Sequence, residues 1–146
     1  MRRYLQILSG ITGGFILAFI GVSGYLGYSL TRIERVPLEG NPARLGLTWE
    51  DVSFYSTDDH LVIKGWLLPA DNSRRIVIMV HGENYHRDEP EIKMLEIAAA
   101  LVKRDYNVLM FDLRGHGESE GDRITGGYLE KRDLLGAVEY VRQRGY

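Results

Sequence analysis

The chain has 146 residues and a formal net charge of −2, with 18 basic and 20 acidic side chains. This length allows one domain of ordinary size, and the near-neutral charge gives no electrostatic basis for nucleic acid binding. The sequence contains no cysteine, which excludes disulfides, thiolate metal sites and a cysteine nucleophile.

The first part of the chain is long and apolar. No charged residue occurs from Tyr4 to Leu30, and Arg2 and Arg3 precede this run. A cleavable signal peptide has an apolar stretch of about 7–15 residues, whereas a helix of this length exceeds the ~30 Å hydrocarbon core of a bilayer. We therefore predict an uncleaved, single-pass transmembrane anchor over residues 1–31. Basic residues on both sides of the anchor leave its orientation undecided.

Small residues recur along the predicted anchor at helical spacing: Gly10, Gly14, Ala18 and Gly21. A stripe of this kind lets two membrane helices approach closely. Self-association of the chain through the stripe is therefore one hypothesis. The other is that these residues only reflect the high frequency of glycine in membrane helices.

The composition of the chain changes after the predicted anchor, from apolar to mixed. Residues 32–48 combine prolines and glycines with mixed charge, which predicts a linker. The runs 49–56 and 61–68 then alternate between apolar and polar side chains, a pattern typical of half-buried strands. With a polar turn between them, the two runs predict a β-hairpin.

Two continuous apolar runs follow, Ile76–Val80 and Asn107–Phe111. Between them, apolar residues recur with a helical period from Pro90 to about Arg104. A last helix is predicted after a glycine pair, with an apolar face formed by Leu129, Leu134, Leu135, Val138 and Val141. This order predicts a parallel α/β arrangement, in which ligands bind at the carboxyl ends of the strands.

Two motifs stand at those carboxyl ends. His81 and Gly82 directly follow the first apolar strand, and Asp-Leu-Arg-Gly-His-Gly-Glu-Ser at 112–119 follows the second. Together with the hairpin residues 58–69, the motifs resemble the α/β-hydrolase superfamily, in particular its membrane-anchored serine hydrolases of the S33 aminopeptidase-like and esterase-like kind. The resemblance implies that residues 49–146 are the N-terminal half of an α/β-hydrolase domain, a β-hairpin followed by β-α-β-α. It also implies a third strand that lies between the fourth strand and a fifth, which this sequence does not contain.

In this family the loop after the third strand supplies one backbone N–H to an oxyanion hole. The resemblance places that donor on Glu83, in an oxyanion loop that begins with His81 and Gly82. Glycine at position 82 would let the backbone turn sharply. Glu83 and Asn84 depart from the aromatic or small residues that are frequent there, and a carboxylate would disfavour an anionic intermediate unless it points to solvent. The alternative is an ordinary strand-to-loop turn.

The second motif brings Asp, His and Ser together but is not predicted to be catalytic. Neighbours in sequence rarely form a triad, which is defined by its arrangement in space. The resemblance implies a structural loop that contains Asp112, Arg114, Gly115, His116, Gly117 and Ser119. A catalytic role for His116 or Ser119 is the less favoured alternative.

No Gly-x-Ser-x-Gly elbow between a strand and a helix is identified anywhere in the sequence, and the family places its nucleophile, acid and base beyond the last predicted helix. We therefore predict an N-terminal fragment of a membrane-anchored hydrolase of ester, thioester or peptide bonds, inactive alone, whose substrate is a small acyl compound or a peptide. Whether the sequence is a truncated gene product or a piece of a longer protein is left open. The alternative is a non-catalytic, membrane-tethered interaction module that associates through an open strand edge.

Spacing disfavours two other kinds of site. The glycines within residues 115–121 suggest a dinucleotide loop, but glutamates occupy the place of the pyrophosphate. Three histidines and a glutamate suggest a metal site: His81, His86, His116 and Glu83. No pair of them has the spacing that zinc sites favour, so we expect neither a metal nor a cofactor.

Overall fold

The computed structural model describes all residues from 1 to 146 and divides them into two compact units, 1–32 and 33–146. The first unit consists of one helix, α1 (Arg2–Thr31), which at 1.5 Å per residue is about 45 Å long. Helix α1 is long and apolar enough to cross a membrane or to act as a signal sequence. The predicted apolar segment is therefore confirmed as one continuous helix.

The second unit is a mixed sheet of four strands with helices on both faces. Its elements are a 3-10 helix (Pro42–Leu45), β1 (Glu50–Tyr55), β2 (Val62–Leu68), β3 (Ile76–Val80), α2 (Met94–Val102), β4 (Asn107–Phe111) and α3 (Glu130–Gln143). The strand order is β1-β2-β4-β3. Strands β1 and β2 form an antiparallel hairpin, β2 pairs antiparallel with β4, and β3 pairs parallel with β4. The predicted hairpin followed by β-α-β-α is confirmed.

Strand β4 lies inside the sheet, and every one of its residues is buried. On one face Phe54, Leu109 and Phe111 form a core against α3, and the rings of Phe54 and Phe111 meet edge to face at 5.5 Å. On the other face Trp66 packs with Leu95 of α2. Because both faces of β4 are covered by helices, a continuous apolar run suits this strand better than an alternating one.

Strand β3 forms an edge of the sheet beside β4, and its other side pairs with no strand. Its side chains are only partly buried, and Val80 is 40% exposed. The position beside β4 confirms the strand order that the resemblance implies. The unpaired N–H and C=O groups along β3 are a ready template for a further strand.

Helix α2 begins at Met94 rather than at the predicted Pro90. Lys93 has a left-handed backbone with φ of 55°, and its N–H donates to the carbonyl of Pro90 at 3.1 Å. Residues 90–93 therefore form a separate turn. Ile92, which the periodicity assigned to the helix, is exposed in this turn.

The buried face of α3 also differs from the prediction. Leu134 and Leu135 are 40% and 52% exposed, whereas Asp133 and Gly136 face the sheet. A Cβ atom at Gly136 would lie 2.2 Å from the carbonyl oxygen of Tyr55, so only glycine allows α3 to lie this close to β1. This close approach sets the rotation of the helix and turns the two leucines away from the core.

Residues 33–48 of the predicted linker (32–48) are packed onto the sheet unit. Pro42 is buried, and Leu38 and Leu47 contact the α2 side of the core. Arg35 donates hydrogen bonds of 2.6–2.9 Å to three main-chain carbonyl groups within residues 117–121. The composition of the segment did not reveal this packing, because the carbonyl partners lie 82–86 residues further along the chain.

Candidate functional site

Loop 81–89 follows β3 and begins with a buried histidine. The Nδ1–H group of His81 donates to the carbonyl of Gly82 at 2.7 Å, and Nε2 accepts from the backbone N–H of Leu113 at 2.9 Å. The second bond assigns the tautomer, because a main-chain N–H can only donate. His81 is therefore a neutral cross-link between the ends of β3 and β4.

Protonation of His81 is expected to break this cross-link. Burial is the main cause that lowers the pKa of His81 below its ordinary value of 6.5. At pH values just below 6.5, the folded protein therefore binds fewer protons than the unfolded chain. The free energy of unfolding then falls as the pH drops below 6.5. We expect the urea midpoint of the wild-type chain to fall between about pH 7 and about pH 5, and to fall less in His81→Gln. Tryptophan fluorescence reports the midpoint, and equal falls in both proteins would contradict this role of His81.

The main-chain N–H of Glu83 finds no hydrogen-bond acceptor within the protein. The preceding amide, that of Gly82, donates to Oε2 of Glu89 at 2.9 Å, which folds the loop back on itself. The Glu83 side chain is exposed, so its carboxylate is in solvent. The free N–H lies at the carboxyl end of β3, where the resemblance implies an oxyanion donor, and that role stays a prediction.

Asn84, not Gly82, makes the sharp turn of this loop. A Cβ at position 82 would meet the carboxylate of Glu89 at 3.5 Å, an ordinary contact. The left-handed backbone belongs to Asn84, with φ of 66°, and asparagine tolerates that conformation better than most residues. The positive-φ position of the loop is therefore Asn84, and the place of His81 and Gly82 in an oxyanion loop stays a prediction.

Asp112, the first residue after β4, fixes loop 81–89 in place. It is fully buried and accepts from the backbone N–H of Arg87 at 2.7 Å, the Arg87 guanidinium at 2.5 Å and the backbone N–H of Glu118 at 3.0 Å. The guanidinium also pairs with the Glu118 carboxylate and lies 4.4 Å from the ring centre of Trp66. Arg87 thus joins the two loops that follow the parallel strands.

The sequence pattern Gly-x-Ser-x-Gly, which marks the nucleophile of serine hydrolases, does occur once, at 117–121 inside the loop 112–121. Ser119 at the centre of this pattern is completely buried. Its Oγ donates to the carbonyl of Asp112 at 2.6 Å and accepts from the N–H of Lys64 at 2.9 Å. Because both bonds are to main chain and neither involves a histidine, this hydroxyl connects the loop to β2 and is not placed as a nucleophile.

His116 is also held by the main chain. Its Nδ1–H donates to the carbonyl of Arg114 at 2.8 Å, and its ring meets that of His81 edge to face at 4.8 Å. No hydrogen bond connects the side chains of Asp112, His116 and Ser119. These three residues therefore do not form a catalytic triad.

Arg114 is a second buried arginine and holds the loop to the neighbouring elements. Its backbone N–H and guanidinium bind Asp133 at 2.9 and 2.7 Å, and its guanidinium binds Asp59 at 2.6 Å. Burial opposes the charge, but the hydrogen bonds to both carboxylates outweigh it and raise the pKa of Arg114. The same guanidinium holds the pKa of Asp59 well below its usual range.

Sequence reasoning missed Arg87, Asp59 and Asp133 as partners in these loops. Asp133 carried a usable signal, because it lies on the side of α3 that also holds the buried Ala137. A charged residue among apolar ones on a helix face indicates a buried ion pair. Arg87 and Asp59 carried no such signal, since both lie in polar stretches of the sequence.

A cavity of about 330 Å³ opens at this end of the sheet. Its lining consists of Glu83, Leu113, His116, Ile124, Gly126, Gly127 and Glu130. Ligands of parallel α/β sheets bind at this place, and the volume is at the lower end of the range for small-molecule sites. The cavity brings the residue of the predicted oxyanion donor together with the loop after β4.

Residues 71–144, about half of the chain, match the protein family described as serine aminopeptidase, S33. The uncharacterized protein YfhR of Salmonella typhimurium is 36% identical over 103 residues, which are 65% of this chain and 32% of that protein. Thiohydrolase aneE of Aspergillus aculeatus is 32% identical over 99 residues, which are 66% of this chain and 30% of that protein. The chain spans about a third of the length of the curated relatives it matches.

Solved structures resemble the chain in the same partial way. Esterase Pf2001 of Pyrococcus furiosus superposes with a TM-score of 0.70 and 31% identity, over 77% of this chain and 41% of that one. The α/β-hydrolase GrgF of Penicillium sp. sh18 gives a TM-score of 0.58 and 29% identity, over 64% of this chain and 32% of that one. In both cases less than half of the larger protein is matched.

Proposed function

Because the chain belongs to the serine aminopeptidase S33 family of α/β-hydrolases, we propose that residues 33–146 supply the oxyanion loop of a serine hydrolase that cleaves ester, thioester or peptide bonds. The observation that carries the proposal is the free N–H of Glu83 at the carboxyl end of β3. The names of two similar proteins, an esterase and a thiohydrolase, support acyl chemistry.

The proposed reaction sets a clear task for this loop. When a serine attacks an acyl carbonyl, negative charge develops on the carbonyl oxygen, and fixed N–H donors stabilise that charge. The Glu83 N–H is one such donor, and His81, Arg87 and Glu89 hold its loop rigid. The nucleophile, its base and the second donor would come from residues outside 1–146. We therefore expect the 146 residues alone to give no turnover.

Proline at position 83 tests the proposed donor, because proline has no N–H. The assay uses the proposed hydrolase, in which residues 1–146 are joined to the part of the protein that carries the catalytic serine. In that protein, Glu83→Pro is expected to lower kcat about 100- to 1000-fold. Glu83→Ala keeps the N–H and is the matched control, with kcat close to that of the wild type. Steady-state turnover of a p-nitrophenyl ester measures both variants. Equal kcat in the two variants would refute the donor role.

We further propose that α1 is an uncleaved anchor that keeps this hydrolase at a membrane. The support is its length of 30 residues and its apolar composition, which exceed what a signal peptide needs. Membrane fractionation followed by mass spectrometry of the amino terminus distinguishes the two roles. An intact terminus in the membrane fraction is expected, and a soluble protein that begins after α1 would refute the anchor.

The open edge of β3 favours a second candidate, a tethered module without catalysis that associates through this strand. Its support is the unpaired side of β3, together with the exposed side chain of Val80 in this apolar strand. An exposed apolar edge strand promotes pairing with another chain. Sedimentation of residues 1–146 in detergent distinguishes the candidates further. A stable, defined oligomer that dissociates on Val80→Lys, a change at an exposed position of β3, would favour the module, whereas a monomer would count against it.

A further inference from the structure

A second cavity, which shares no lining residue with the 330 Å³ cavity beside Glu83, lies between the segment 33–48 and loop 81–89. Its volume is about 400 Å³, within the range of small-molecule sites. The lining residues are Val36, Pro37, Glu39, Gly40, Arg44, Tyr85, His86, Asp88 and Pro90. The proposed hydrolase reaction uses none of these side chains.

His86 presents a hydrogen-bond donor in this cavity. The side chain is 5% exposed, and its Nδ1 accepts from the backbone N–H of Asp88 at 3.1 Å. The ring proton is therefore on Nε2. The Nε2 nitrogen has no hydrogen-bond partner in the protein, and solvent can reach it. The Nε2–H group can therefore donate to a ligand that enters the cavity without breaking a hydrogen bond within the protein.

Asp88 presents an acceptor in the same cavity. The residue is 7% exposed, and its Oδ1 accepts from Arg44 at 2.8 Å. Its Oδ2 has no hydrogen-bond partner in the protein, and solvent can reach this oxygen too. A Cβ at Gly40, which also lines the cavity, would lie 3.5 Å from this oxygen, so Oδ2 is on the cavity side of the carboxylate.

The donor and the acceptor together restrict what the cavity can bind. An anion is disfavoured because Asp88 and Glu39 both line the cavity, while Arg44 is already paired with Asp88 and lies 3.7 Å from Glu96. A simple cation is disfavoured because the Nε2–H of His86 would point a positive hydrogen at it. A group that offers one acceptor and one donor satisfies both side chains.

We propose that this cavity binds a neutral carboxamide with an aliphatic body. The carbonyl oxygen accepts from His86 Nε2–H, the amide N–H donates to Asp88 Oδ2, and the aliphatic part lies against Val36, Pro37 and Pro90. An ester of the same shape offers the carbonyl but no N–H, so it leaves Asp88 Oδ2 unsatisfied. Because binding needs no nucleophile, the proposal stands or falls independently of the hydrolase proposal.

The test is a titration of the full chain in detergent micelles, followed by the ¹⁵N–¹H resonances of His86 and Asp88. We expect isovaleramide to shift both resonances with a saturable curve, and methyl isovalerate to bind at least tenfold more weakly. Asp88→Asn replaces one carboxylate oxygen with an NH2 group, which donates and cannot accept from the ligand N–H. This variant is expected to weaken isovaleramide binding at least tenfold. Glu96→Gln, which removes the other carboxylate near Arg44 but does not line the cavity, is the matched control with unchanged affinity.

Gly40→Leu keeps the test decisive if Asp88→Asn fails to fold. The backbone at Gly40 has no positive φ, and its nearest neighbours for a new Cβ are at 3.5 Å or beyond, so a leucine is tolerated and fills the cavity. We expect this variant to keep the wild-type spectrum elsewhere and to lose binding at least tenfold. Wild-type binding by Gly40→Leu, equal binding of the ester, or no saturable shift with isovaleramide would each overturn the proposal.

Discussion

Asp112→Asn is expected to destabilise the sheet unit by about 3–5 kcal/mol, the range for removing one partner of a buried ion pair. Asp112 is fully buried and receives three hydrogen bonds, from Arg87 N–H, the Arg87 guanidinium and Glu118 N–H. An asparagine keeps the shape but replaces one acceptor oxygen with a donor that faces these donors. The loss is a large part of the ~5–15 kcal/mol that stabilises a domain.

Urea unfolding of the full chain in detergent measures this effect through the fluorescence of Trp66, which lies under the Arg87 guanidinium. Asp71→Asn is the matched control, because Asp71 is exposed in a turn and its change is expected to stay within about 0.5 kcal/mol. A loss below about 1 kcal/mol for Asp112→Asn would show that the Arg87 network does not hold the two loops together.

Gly117→Ala is expected to destabilise the protein by about 2–5 kcal/mol. One part, about 1–2 kcal/mol, comes from placing a side chain at the positive φ of Gly117, which is 43°. The other part, about 1–3 kcal/mol, comes from overpacking. The new Cβ would lie 2.3 Å from Oδ2 of Asp112, and that carboxylate cannot move without giving up its bonds to Arg87.

Gly126→Ala separates the two parts. Gly126 also has a positive φ, 61°, but a Cβ there meets nothing within 4 Å. Its expected cost is therefore only the conformational part, about 1–2 kcal/mol. The same urea experiment compares the two variants. Equal losses would mean that the carboxylate of Asp112 does not pack against the backbone at Gly117 as described.

The sequence predicted the sheet unit well where the pattern was local. The alternation of 49–56 and 61–68 and the two apolar runs predict four strands, and the structure confirms that all four are present. Local patterns failed where a distant contact decides the outcome. The rotation of α3 depends on Gly136 against the backbone of β1, and the packing of 33–48 depends on Arg35 and carbonyl groups more than 80 residues away.

The candidate site shows the same division. The sequence placed His81 and the motif after β4 at one end of the sheet, because carboxyl ends of parallel strands meet there. It did not reveal that Arg87 reaches from one loop to Asp112 in the other. Such an ion pair follows from the distance between two loops in space, which no periodicity encodes. The Gly-x-Ser-x-Gly letters at 117–121 lie inside the predicted structural loop, and the structure agrees with that role because Ser119 is buried and bonded to main chain.

The measurement that tests the central claim most directly is the position of a fluorophosphonate label, located by mass spectrometry in the protein purified from its native host. We expect the label on a serine outside residues 1–146, in a protein whose amino-terminal part contains this oxyanion loop. Within the chain we expect no labelled serine, because the Ser119 hydroxyl is buried and bonded to main chain. A label on Ser119, or a protein with no labelled serine at all, would contradict the account.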